Sequence, residues 1–117
     1  TLDKMLLEIA DKGNVVLDSW TMPWLCKKGF KIWLHASPSV RAKRVAQRDK
    51  LEEKKVLEKI IERDKKTAGL YRKIYGFSIG EDLTPFQLVI NSDNLKEKEV
   101  FEIAVQKVSE YYKKRNA

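Results

Sequence analysis

One cysteine and one histidine occur in the 117 residues. Cys26 therefore has no partner for an intrachain disulfide, and neither it nor His35 can seed a cysteine- or histidine-based metal site. That usage fits a reducing, cytoplasmic setting. No apolar run approaches the roughly 18 residues of a membrane span. The first turns carry Asp3, Lys4 and Glu8, where a signal peptide would be apolar. Glycine is scarce, five in all, and no apolar run leads into a glycine-rich turn. Internal repeats and low-complexity segments are absent, so residues 1–117 read as one domain.

What is abundant is charge. Lysine and arginine number 24 against 17 acids, a net charge of +7, which suits an anionic partner: a nucleotide, a nucleic acid or a phosphorylated metabolite. The lysine and glutamate content is also a weak sign of a hot environment.

Hydrophobic spacing predicts a helix over 2–12, with Leu2, Met5, Leu6 and Ile9 inward, Thr1 as cap and Gly13 as stop. Three apolar runs, "NVVLD" (14–18), "FKIWLHA" (30–36) and "FQLVINS" (86–92), read as strands. A connector that has room for a short helix separates the first two. Ser37 and Pro38 predict the cap and first residue of a helix over 38–49. A longer helix over 52–75 would bury Val56, Leu57, Ile60, Ile61, Leu70, Tyr71 and Ile74 and stop at Gly76. A last helix over 95–114 would bury Val100, Phe101, Ala104, Val105 and Val108. Apolar strands each followed by a helix indicate an α/β fold, a parallel sheet flanked by helices.

Arg41, Arg44 and Arg48 share one face of the 38–49 helix, and their planar forks match phosphate oxygens; a solvated basic face is the bland alternative. Arg63 and Arg72 are about two and a half turns apart, so they converge on one ligand only if the helix bends, for which Gly69 is the candidate. Asp64 either orients Arg63, touches a ribose hydroxyl, or forms a surface ion pair. Asp18, at the end of a strand, either faces a ligand at the carboxyl edge of the sheet or caps the next segment. His35 and Trp33 read as packed side chains. Trp20 and Trp24 read as packing residues with the option of stacking on a base. Tyr111, Tyr112, Lys113, Lys114 and Arg115 read as a basic, frayed helix end.

Taken in order, "NVVLDSW", "FKIWLHASPSVRAKRVAQRD", "EKIIERDKKTAGLYRKIYG" and "FQLVINSDNL" resemble nucleoside monophosphate kinases of the archaeal cytidylate kinase type. The resemblance implies a P-loop kinase-like fold with three of the usual five strands, and ATP-dependent phosphoryl transfer to CMP or dCMP. It further implies a lid over about 41–76. Asp18 would sit by Mg²⁺, Arg44 and Asn91 by ATP, Arg41 and Asp64 by substrate. Arg48, Arg63 and Arg72 would neutralise charge on the transferred and acceptor phosphates.

Two departures accompany it. No G-x-x-x-x-G-K-[ST] occurs, so the chain reads as about the C-terminal two-thirds of such a kinase, expected to be inactive alone and to pair with the remainder, self-associate through its open edges or rearrange its sheet. No arginine lies between Asp18 and Arg41, where relatives carry one, which bears on the acceptor base. A basic nucleic-acid-binding module is the competing reading; it is not favoured, because aromatic residues are not interleaved with the basic ones. A degenerate kinase acting as an interaction partner is the other.

Overall fold

The computed structural model describes residues 2–115; the expected cap at Thr1 lies outside them. Helix α1 (Leu2–Lys12) ends where Gly13 and Asn14 both take positive φ, 79° and 56°. The short α2 (Met22–Leu25) sits in the connector, and it is Ser19 that serves its start: the Ser19 hydroxyl accepts from the backbone N–H of Thr21 and of Met22, each at 3.2 Å. Strand β1 (Ile32–His35) leads into α3 (Pro38–Asp49), whose N-cap is Ser37 with Pro38 in the first turn, as expected. A left-handed Lys50 turns the chain into α4 (Glu53–Tyr75), which stops at Gly76 with φ 80°. Strand β2 (Leu88–Asn91) and α5 (Glu97–Arg115) complete the order.

Among the described residues the sheet has two strands, not the three expected. β1 and β2 run parallel, with Ile32 opposite Leu88, Trp33 opposite Val89, Leu34 opposite Ile90 and His35 opposite Asn91. Residues 15–17 form no strand among the described residues, and Val16 is 99% exposed. A strand exists only through its ladder partner, and an apolar run with no neighbouring strand leaves its backbone to water.

Between β1 and β2 the chain makes a long crossover, the α3–α4 hairpin. Its seam is small on one side and branched on the other: Ala42 and Ala46 let α3 approach Val56 and Ile60, with Val45 and Leu57 half-buried at the margin. A second cluster is aromatic. Trp24 stacks on Phe77 at 4.6 Å and meets Trp33 and Phe86 edge-on, while its indole N–H donates to the Asp82 carbonyl at 3.0 Å. Trp33 is thus packed as expected, although its own buried indole N–H has no acceptor. Trp20 is half exposed, edge-on to Tyr71.

Other expected core faces are open. Leu2 and Met5 on α1, Ile61, Leu70 and Ile74 on α4, and Phe101 and Val105 on α5 are all exposed. An amphipathic stripe is buried only where another element covers it, and nothing among the described residues covers these. The radius of gyration, 16.2 Å, correspondingly exceeds the roughly 13 Å of a well-packed domain of this length.

Candidate functional site

The base of the α3–α4 hairpin is fastened to the carboxyl edge of the sheet. The Arg44 guanidinium donates to the Ser92 hydroxyl at 3.2 Å and to the Ser92 carbonyl at 2.6 Å. Ser92 is buried just past β2, and its N–H and hydroxyl both donate to the His35 carbonyl at the end of β1. The Ser37 N–H donates to the Asp93 carboxylate at 2.7 Å. Arg41 donates from Nε to the Ala36 carbonyl and pairs through Nη2 with Asp64 at 2.7 Å, tying α3 to α4. Each of these bonds lies where the strands deliver their carboxyl ends, the usual ligand edge of a parallel sheet.

Above this base a groove of about 570 Å³ opens between the two helices. Arg41, Arg44 and Arg48 line it from α3 and Arg63 from α4, over a floor that includes Val56 and Ile60. The structure therefore brings four of the expected arginines to one cavity. Low-dielectric apolar walls strengthen the field of the cations above them. Arg48 is exposed and held bidentately by Asp49, which keeps the Asp49 carboxyl below its ordinary range.

The remaining expected residues lie elsewhere. Arg72 is in the last turn of α4 and does not line the groove. The convergence with Arg63 by a bend at Gly69 is not needed to read the structure: α4 runs as one helix from Glu53 to Tyr75, which sets the two arginines about 13 Å apart in rise. Asp64 partners Arg41 rather than the adjacent Arg63. The exposed Asn91 turns its side-chain oxygen to accept from the Asp93 N–H at 3.1 Å. The His35 residue is exposed, against the packed position expected of it; only its carbonyl is engaged with Ser92.

Asp18 lines a different cleft, of about 450 Å³, with Asp3, Trp20, Thr21, Tyr71 and Tyr75 among its walls. Ser19 serves the helix start, so Asp18 is not the cap. Among the described residues no group of three or more carboxylate, histidine or cysteine side chains is placed to hold a metal ion. A lone exposed carboxylate fits Mg²⁺ only as one ligand of an ion carried mainly by substrate phosphates.

Sequence reasoning passed over four residues. Lys55 and Lys59 line the groove beside Arg63, and their spacing of four on α4 is the same kind of signal as the arginine spacing on α3. Asp3 accepts from Tyr75 at 2.6 Å and from Thr21 at 3.0 Å, joining α1, α2 and the end of α4. Ser92 carried no signal beyond following an apolar run. No described helix is long and apolar enough to cross a membrane.

Comparison with known proteins assigns a family. Residues 1–94 match the model of the cytidylate kinase-like family. Cytidylate kinase of Sulfurisphaera tokodaii is 35% identical over 105 residues, covering 87% of this chain and 58% of that protein. Cytidylate kinases of Pyrococcus horikoshii and Methanocaldococcus jannaschii are each 36% identical over 87% of this chain, covering 53% and 60% of their own lengths. The chain thus spans little more than half the length of these curated relatives. No solved structure matches it. A family model that covers most of the chain, and these relatives alongside it, show that the chain belongs to the cytidylate kinase-like family.

Proposed function

We propose that this chain supplies the lid and its arginines to an ATP-dependent nucleoside monophosphate kinase whose acceptor is CMP or dCMP. The observation that carries the reading is the meeting of Arg41, Arg44, Arg48 and Arg63 on one groove of the α3–α4 hairpin in a member of this family. In the reaction a phosphate oxygen of the monophosphate attacks the γ-phosphorus of ATP, and ADP leaves with the electron pair of the broken bond. Such a transfer needs positioning and charge neutralisation more than covalent help from the protein.

Arg48 and Arg63 are the residues to neutralise the transferred group. Arg72, on the turn between Tyr71 and Tyr75, serves the acceptor phosphate from the other end of α4. Arg41 and Asp64 contribute to the substrate side as a locked pair that sets the two arms of the lid, and Asn91 with Arg44 forms the ATP edge next to Ser92. Asp18 is the carboxylate this chain would offer to a Mg²⁺ carried by the ATP phosphates. The net charge of +7 favours capture of both anionic substrates. The setting is cytoplasmic, and the exposed apolar faces of α1, residues 15–16 and α5 are where the rest of a kinase domain, or a second copy, would pack.

The test is a chimera. Residues 1–117 replace the matched segment of Methanocaldococcus jannaschii cytidylate kinase, and ADP release is followed with each nucleoside monophosphate. The expected result is ADP formation that depends on CMP or dCMP and falls about 10³-fold in kcat on Arg63→Ala, with little change in Tm. The chain alone is expected to form no CMP-dependent ADP. A folded chimera that binds ATP and transfers to none of the monophosphates overturns the reading.

A further inference from the structure

We propose that Lys59 is a phosphate-binding residue of the groove, acting as a pair with Arg63. The inference rests on the reading of the groove as the seat of ATP phosphates, and it assigns a contact that the arginine pattern on α3 does not contain.

Most cations of the groove are already engaged. Arg41 is committed to the Ala36 carbonyl and to Asp64. Arg44 is committed to Ser92, Arg48 to Asp49, and Lys55 loosely to Glu52 at 3.6 Å. Lys59 and Arg63 line the same groove, and among the described residues neither has a hydrogen bond or ion pair. They are therefore the two cations that meet an incoming anion without first breaking a bond.

Their spacing adds a second argument. Lys55, Lys59 and Arg63 recur every four residues and so form one stripe along α4. Like charges at that spacing destabilise a helix. The same helix places Lys66 four residues after Glu62, at 3.1 Å, so the opposite-sign arrangement is available to it elsewhere. A stripe that costs stability is accounted for by an anion that bridges it. Neighbouring side chains on adjacent turns stand about 5–6 Å apart at Cβ, a span that successive phosphates of a polyphosphate can bridge. The groove is large enough to hold that chain, and Val56 and Ile60 beneath it are buried, so the two contacts are made against a partly dry wall.

Isothermal titration of the full 117-residue chain, with ATP and separately with inorganic tripolyphosphate at two salt concentrations, tests this. Lys59→Gln is expected to weaken both ligands about fivefold and to flatten the salt dependence, with far-UV circular dichroism unchanged and the urea midpoint equal or slightly higher, as relief of the like-charge stripe requires. Lys59→Arg is expected to restore the affinity, and Lys66→Gln, away from the groove, to leave it within about twofold. If Arg63→Gln weakens binding and Lys59→Gln titrates like the unaltered chain, the Lys59 assignment is wrong while the kinase reading stands. If the unaltered chain binds neither probe, the groove is not an anion site on this chain and the pair is overturned. The CMP-dependent chimera then reports separately on the kinase reading.

Discussion

Arg44 holds both oxygens of Ser92. One guanidinium nitrogen is 3.2 Å from the hydroxyl and the other 2.6 Å from the carbonyl, so α3 is tied to the end of β2. Ser92 in turn donates twice to the His35 carbonyl at the end of β1. A single arginine thereby couples the groove to both strands, at the edge where a parallel sheet presents its ligands.

Arg44→Ala should destabilise the chain by about 1.5 kcal/mol, because the charged donor is lost and the Ser92 carbonyl is left without it. Arg48→Ala should leave the urea midpoint essentially where it is, since its pair with Asp49 is exposed and screened by solvent. Urea denaturation of the two variants checks the contrast. A double-mutant cycle of Arg44→Ala with Ser92→Ala should return a coupling of about 1 kcal/mol; additive effects would show that the two residues do not act together.

The hairpin seam predicts a different kind of failure. Ile60→Ala should cost about 2–4 kcal/mol through a cavity opposite Ala42 and Ala46. Ala42→Leu should cost about 1–3 kcal/mol by overpacking, as no space surrounds Ala42 at 0% exposure. Both changes lie away from Trp24 and Trp33. The urea transition followed by circular dichroism should therefore shift to lower denaturant more than that followed by tryptophan fluorescence. Equal shifts would show one cooperative core rather than two clusters.

Helices and two parallel strands were legible and the third expected strand failed, for one physical reason. A helix satisfies its backbone within itself, so Ser37, Pro38, Gly13 and Gly76 marked real boundaries in the sequence. A strand depends on a neighbour far along the chain, and the apolar run at 15–17 has the composition of a strand without the neighbour. The site divides similarly. The spacing of Arg41, Arg44 and Arg48 announced a common face, and the groove confirms that they share one. Which of them are already engaged was not readable, because Ser92, Ala36 and Asp64 reach them only through the packing of the hairpin on the sheet.

Val16 offers a direct check on that missing strand. At 99% exposure it contributes no burial, so Val16→Lys should leave Tm within about 1 °C and reduce concentration-dependent association seen in sedimentation velocity. A buried strand position would instead lose several degrees. A large drop in Tm would therefore place residues 15–17 in a ladder and contradict the two-stranded sheet.

The Tyr75–Asp3 bond makes stability depend on alkaline pH in a defined direction. The Tyr75 hydroxyl donates to the Asp3 carboxylate at 2.6 Å, and this bond, followed by partial burial and the nearby negative charge, raises the Tyr75 phenol above its ordinary value of 10.0. The folded chain thus holds the proton more tightly than the unfolded chain. The contribution of the bond is whole below pH 10.0 and is lost as pH rises through the higher folded value, because there the unfolded state binds fewer protons than the folded one. Between about pH 8 and pH 11 the Tm of the unaltered chain should fall more steeply than that of Tyr75→Phe, which has no proton to lose at this position. Asp3→Asn should flatten the slope in part, since the neutral amide weakens the hydrogen bond and removes the negative charge while leaving the phenol and its burial in place. Parallel slopes for all three chains would mean that α1 and the end of α4 are not joined through this bond in solution. The cleft beside Asp18, which Asp3, Tyr71 and Tyr75 line, would then lack the wall that the bond secures.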